Sequence, residues 1–157
     1  MKTAAVRVMA IVSLAGAFYL MADSNEAVPY PADYRRWTVT RSFIAASESQ
    51  NSSFHHYYAN DKAMEGFTSG VFPNGSVIVD ERLEVDRRGA ESFEGKRISV
   101  SVMRKDNQRY AATGGWGFDA AKGDHPTLDA PPELRAASGG RCARELTGTL
   151  AYSVQSE

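Results

Sequence analysis

Cys142, His55, His56 and His125 are the side chains in this sequence best suited to holding a metal or forming a covalent link. Cysteine occurs once, so the chain has no internal disulfide and no four-thiolate metal centre. His55 and His56 are adjacent in Phe54-His55-His56-Tyr57-Tyr58, which reads as a strand. Neighbours on a strand point to opposite faces, so the two imidazoles do not chelate one ion together. Metal sites draw on three or four convergent ligands. Nothing beside His125, in the Asp-, Gly- and Pro-rich run from Asp119 to Pro132, resembles such a set. Glu91 and Glu94 are paired carboxylates, but they fall in the charged run from Arg87 to Lys96, which reads as a solvated hairpin connection and not as a cleft. The residues by themselves therefore specify no catalytic group and no metal centre.

The elements that must position these side chains are read from periodicity. Val77, Val79, Leu83 and Val85 share one face of a strand-like run, opposite Asp80, Arg82, Glu84 and Asp86. Ile98, Val100 and Val102 alternate with Ser99 and Ser101 in a second run. Tyr110, Ala112, Trp116 and Phe118 share a face in a third, opposite Ala111 and Thr113. Pro73-Asn74-Gly75 is a turn leading into the first run, and Lys105 to Gln108 is a polar turn pairing the second and third as an antiparallel hairpin. Gly114, Gly115 and Gly117 leave room beside Trp116 and Phe118 for another backbone or a flat ligand. Trp37 to Ile44 and Leu150 to Val154 read as further strands, and Asp33 as the cap of a short helix. Asn60 or Asp61 caps another helix that runs through Phe67, turns Ala63, Met64 and Phe67 inward, and stops at Gly70. Pro132 opens a last helix, ended by Gly139-Gly140. The expected fold is α+β: a single antiparallel sheet of about five strands with short helices packed on one face.

The chain is 157 residues long with a formal net charge of -1, which is one domain without the strong field that selects nucleic acid or an anionic membrane. Residues 1–22 read as a secretory leader. Lys2 and Arg7 form its basic start, and Val8 to Ala22 is apolar and uncharged. That run is shorter than the roughly 20 residues a membrane-spanning helix needs. Ala15-Gly16-Ala17 fits the small-x-small rule for cleavage, with Ala22 and Ala27 as alternatives and an uncleaved anchor as the rival. The expectation is an exported, periplasmic protein that does not stay on the membrane once the leader is removed.

Three segments in order, Phe72 to Glu81 (FPNGSVIVDE), Glu94 to Asp106 (EGKRISVSVMRKD) and Arg109 to Asp124 (RYAATGGWGFDAAKGD), resemble the bacterial cytochrome P-460 family, which includes the beta type of cytochrome c-prime. His55 to Asn60 (HHYYAN) matches the family's HxxYxN run. The resemblance starts near Tyr30-Pro31, and residues 29–154 are taken as the P-460-like domain. It implies a periplasmic haem protein that oxidises hydroxylamine or binds nitric oxide, with haem c as cofactor and a homodimer as the assembly.

The family's last helix leads into Cys-x-x-Cys-His. There two thiols add to the haem vinyl groups and the histidine becomes the axial iron ligand. The corresponding stretch here, Ala136 to Leu146, reads AASGGRCAREL. With Cys142 as the second cysteine, Gly139 replaces the first and Ala143 the histidine. With Cys142 as the first, Glu145 replaces the second and Leu146 the histidine. Either way one thioether and the axial ligand are lost, and Cys142 stands as a remnant of haem attachment. The hydroxylamine-oxidising members also carry a lysine cross-linked to the porphyrin edge. Lys62, Lys96 and Lys105 lie in the matching half of the chain, and the sequence does not choose among them. Two readings follow: a haem protein of altered ligation, with His55, His56 or His125 on the iron, and a haem-free binding or interaction module. Whether the chain is an enzyme stays open between them.

Overall fold

A computed structural model describes residues 27–45, 52–125, 127–133 and 135. The leader, the Cys142 region and the expected strand from Leu150 to Val154 lie outside these residues. Five strands pair antiparallel in chain order: β1 (Thr38–Ala45), β2 (Ser53–Ala59), β3 (Val77–Arg88), β4 (Glu91–Lys105) and β5 (Trp116–Lys122). One helix, α1 (Asp61–Ser69), joins β2 to β3, and a 3-10 turn, Tyr34–Arg36, precedes β1. The fold is α+β and mostly sheet, as the periodicity led us to expect.

Asn60 locks the start of α1 to the turn before β3. Its Oδ1 accepts from the Ala63 N–H at 2.9 Å and the Val77 N–H at 3.0 Å, while its Nδ2 donates to the Gly75 carbonyl at 3.0 Å. A single side chain thus caps the helix and satisfies the first amide of the central strand. Gly70 closes the helix in the left-handed region at φ 78°, donating its N–H to the Gly66 carbonyl at 2.9 Å.

The core has two halves, one on each side of the sheet. Val77, Val79, Val100, Val102 and Ala121 face Val28, Tyr34, Tyr110 and Leu128. On the other side Ala59, Ile78, Met103 and Trp116 pack against Ala63 of α1 and Phe72. β3 is therefore apolar on both faces at its start, where Ile78 is fully buried, and alternates only from Asp80 onward. Helix α1 covers one face, and the 3-10 turn sits on the other.

Three boundaries differ from the sequence reading. The run from Arg87 to Lys96 is not a loop: β3 continues to Arg88, β4 begins at Glu91, and Gly89 (φ 65°) and Ala90 make the turn. Its charges are carried in cross-strand register, Arg88 opposite Glu91 and Asp86 opposite Phe93, so a charged run forms strand without needing burial. Tyr110 does not extend the third run. It precedes a 3-10 turn, Ala111–Thr113, and its ring lies against Gly117, where an added Cβ would fall inside the ring. The room expected at that glycine is thus filled by the chain itself. Lastly, Asp119 to Lys122 belong to β5 and not to the run after it, whereas Pro132, Glu133 and Arg135 are helical as expected.

Candidate functional site

The face that carries α1 is covered over the first rungs of the sheet only. Beyond them the register lines up Tyr57, Asp80, Ser101 and Ala120 on one rung, and His55, Arg82 and Ser99 on the next. These side chains are half-buried, and Tyr57 packs against the core formed with α1. Phe43 of β1 stands opposite His55, and Phe118 of β5 lies opposite Met103 on the same face.

His55 is held at both ring nitrogens. Nδ1 lies 3.1 and 3.2 Å from the two Asp80 carboxylate oxygens, and Nε2 lies 3.1 Å from Ser53 Oγ. With Asp80 ionised and the imidazole neutral, Nδ1 carries the proton and the Ser53 hydroxyl donates to the Nε2 lone pair. The ring stacks on Phe43 at 5.0 Å between centroids and 5° between planes, with Tyr57 at 6.5 Å and 16°. The Arg41 guanidinium caps the outer face of Phe43 at 4.7 Å.

Asp80 sits under the same face. Burial pushes its carboxyl above the usual carboxylate range, against the opposing pull of His55, Arg82 and a hydrogen bond from Tyr57. Arg82 stands opposite His55, and its Nε is buried without a hydrogen-bond partner among the described residues. Buried donors without a partner are uncommon in folded proteins. Among the described residues no cluster of three or more His, Cys, Asp and Glu is arranged to hold a metal ion.

The remaining sequence candidates are dispersed. His56 points to the opposite face, as strand alternation requires. Its Nδ1 is 2.8 Å from Ser42 Oγ and its Nε2 3.0 Å from Glu94 Oε1, so Glu94 is a partner on β4 and not half of a carboxylate pair. His125 is exposed beyond the end of β5. Lys62 donates to the Asn74 carbonyl at 3.3 Å and Lys105 to the Gly114 carbonyl at 2.8 Å, while Lys96 is exposed on β4. Cys142 lies outside the described residues.

Glu81 was missed. It is 1% exposed on the face opposite His55. Tyr34 Oη donates to Oε1 at 2.7 Å, Arg97 Nε at 2.7 Å and Arg35 Nε at 3.1 Å, while Tyr58 Oη reaches Oε2 at 3.2 Å. Burial alone would raise its carboxyl, but the bonds from Arg35 and Tyr34, with Arg97, hold it below the usual range. Burial, then the hydrogen bond to Glu81 and its negative charge, push the Tyr34 hydroxyl well above its ordinary value against the opposing pull of Arg35 and Arg97. The signal was available: Glu81 falls in phase with Val77 and Val79. Asp119 plays a similar part at the other edge. It is fully buried, accepts from the Ala130 N–H at 3.0 Å and pairs with Arg135 at 3.0 Å, anchoring the segment after β5.

The two carboxylates on β3 thus divide the labour. Glu81 is saturated and structural, whereas Asp80 and His55 lie on a face with an open donor beside them. A search among curated proteins returned no match. The cytochrome P460 family model matches residues 31–144, a span that takes in all five strands, α1 and the position of Cys142. The chain belongs to the cytochrome P460 family and carries its haem-binding, cytochrome-like domain.

Proposed function

We propose that the protein is an exported, periplasmic cytochrome P460 domain that binds haem on the His55 face without thioether bonds, with gas binding of the nitric oxide type as its role and no hydroxylamine oxidation. The observation that carries this reading is the imidazole of His55, bonded to Asp80 through Nδ1 and flanked by Phe43 and Tyr57 on the face that carries the unpartnered Arg82 Nε. These residues fit haem held by coordination and packing. Phe43, Tyr57 and Phe118 offer apolar surface to a flat ring. Asp80 orients the imidazole and keeps the proton on Nδ1, and Arg82 offers an open cation to an anionic substituent. When bound, haem supplies an iron centre that takes a diatomic gas. Covalent c-type attachment does not fit, because Cys142 has neither a second cysteine nor the adjoining histidine. Hydroxylamine oxidation in the family rests on an iron fixed by that histidine.

The protein is further proposed to act as a homodimer. The edge strand β1 is largely exposed, with Val39 at 51% and Ile44 at 40%, which suits pairing with a second sheet. A haem-free interaction module is the second reading. It is favoured by the bond between Ser53 and His55 Nε2, which leaves the ring satisfied as it stands.

The test is to make the protein with its leader in cells that carry a haem-maturation system, and to record intact mass and absorbance of the periplasmic product. The apo mass together with a Soret band supports the proposal. A mass raised by one haem refutes non-covalent binding, and the apo mass with no Soret band even after haemin is added supports the haem-free module.

A further inference from the structure

We propose that His55 Nε2 is the protein ligand to the haem iron and that Arg82 takes a haem propionate; this rests on the haem reading above and makes it specific. Of the three histidines in the chain, His55 is the one that stands opposite Arg82 on the same face of the sheet. His56 faces the other side of the sheet and is committed to Ser42 and Glu94. His125 is exposed beyond β5, with no carboxylate contact shown to orient it.

A ligating imidazole needs a lone pair on one nitrogen and gains basicity when the other donates to a carboxylate. His55 has that arrangement, with Asp80 on Nδ1 and the lone pair of Nε2 turned to Ser53 Oγ at 3.1 Å. Exchanging that contact for a metal bond gives up one neutral hydrogen bond and leaves the hydroxyl of the buried Ser53 to find another partner. Stacking between Phe43 and Tyr57 limits rotation of the ring, which fixes the direction in which the lone pair points.

Arg82 supplies the second, independent observation. It stands opposite His55 in the β2–β3 register, and its Nε is buried without a partner among the described residues. A guanidinium recognises a carboxylate through paired donors.

The test titrates ferric haemin into the purified full chain. Wild type is expected to give the absorbance and resonance Raman signature of a histidine-ligated iron. His55→Gly loses that signature and regains it when free imidazole is added, whereas His56→Gln and His125→Gln keep it. Asp80→Asn retains haem but lowers the iron–histidine stretching frequency. Arg82→Gln weakens haemin about tenfold, the loss of one charge-assisted contact, yet binds haem dimethyl ester as wild type does. Circular dichroism confirms folding, and His55→Asn replaces the glycine variant if that one is unfolded. If wild type binds no haem, the haem reading and this proposal fall together. If His55→Gly and His55→Asn keep the histidine signature, the ligand assignment alone is overturned. An equal loss of ester and haemin binding in Arg82→Gln overturns the propionate contact.

Discussion

Replacing Glu81 with glutamine should show how much of the domain's stability rests on one buried carboxylate. The substitution keeps the volume and removes the charge that answers Arg97 and Arg35. Removing one member of a buried ion pair costs about 3–5 kcal/mol because the partner charge is left without compensation. Arg97 is 14% exposed and keeps only the exposed Asp124 at 3.3 Å, whereas Arg35 is 56% exposed and can turn to water. The lower end, about 3 kcal/mol, is therefore expected, which for a domain of this size moves the melting temperature by about 10 °C. The effect has a pH signature. The folded Glu81 carboxyl titrates below its usual 4.5, so its contribution is complete above that value and is lost as pH falls through the folded one. The gap between wild type and Glu81→Gln, followed by urea unfolding across a pH series, should hold near neutrality and close in acid. A neutral-pH gap below about 1 kcal/mol, the range of an exposed pair, would refute the reasoning, as would a gap that widens on acidification.

Asp80 should behave in the opposite sense. Its carboxyl is raised in the folded state, so folding favours the protonated form and stability declines as pH rises from the usual 3.8 through the folded value. Asp80→Asn should therefore melt higher than wild type at neutral pH and match it in acid; a lower melting point at neutral pH would show that the His55 contact outweighs burial. Asn60→Ala removes a helix cap and leaves the Val77 amide and Gly75 carbonyl without their partner, so denaturant unfolding should report a loss of about 2–3 kcal/mol. Gly117→Ala drives a methyl group into the Tyr110 ring and should cost about 1–3 kcal/mol by the same measurement, with relief in Gly117→Ala/Tyr110→Ala.

The sheet was legible because its strands carry alternating patterns. β3, β4 and the second half of the third run follow period two, and Asn60 and Gly70 frame α1 as their cap chemistry dictates. The opposed directions of His55 and His56 followed from the same rule. Tyr110 was misread because alternation does not register a turn whose tyrosine folds back over a glycine. The hairpin connection expected near Gly89 is present, but its charged flanks are strand and not connection, because a strand exposed on both sides is polar as well. The pairing of His55 with Asp80 joins residues 25 apart, and Arg82 reaches the same face only through the β2–β3 register. Neither is visible until the register is known. Glu81 was passed over as one more charge in an acidic run, although its phase with Val77 and Val79 placed it inside.

The central claim is that haem occupies the face carrying His55 and Asp80. Methyl NMR of alanine- and valine-labelled protein during addition of ferric haemin tests it most directly, since the paramagnetic iron speeds relaxation steeply with proximity. Ala120 shares the candidate face, whereas Val79, Val100 and Val102 lie on the opposite one. The account predicts that the Ala120 methyl broadens first and most strongly, with the three valines affected weakly. Broadening that begins at Val79 and Val100, or no change at any methyl with haemin in excess, would contradict it.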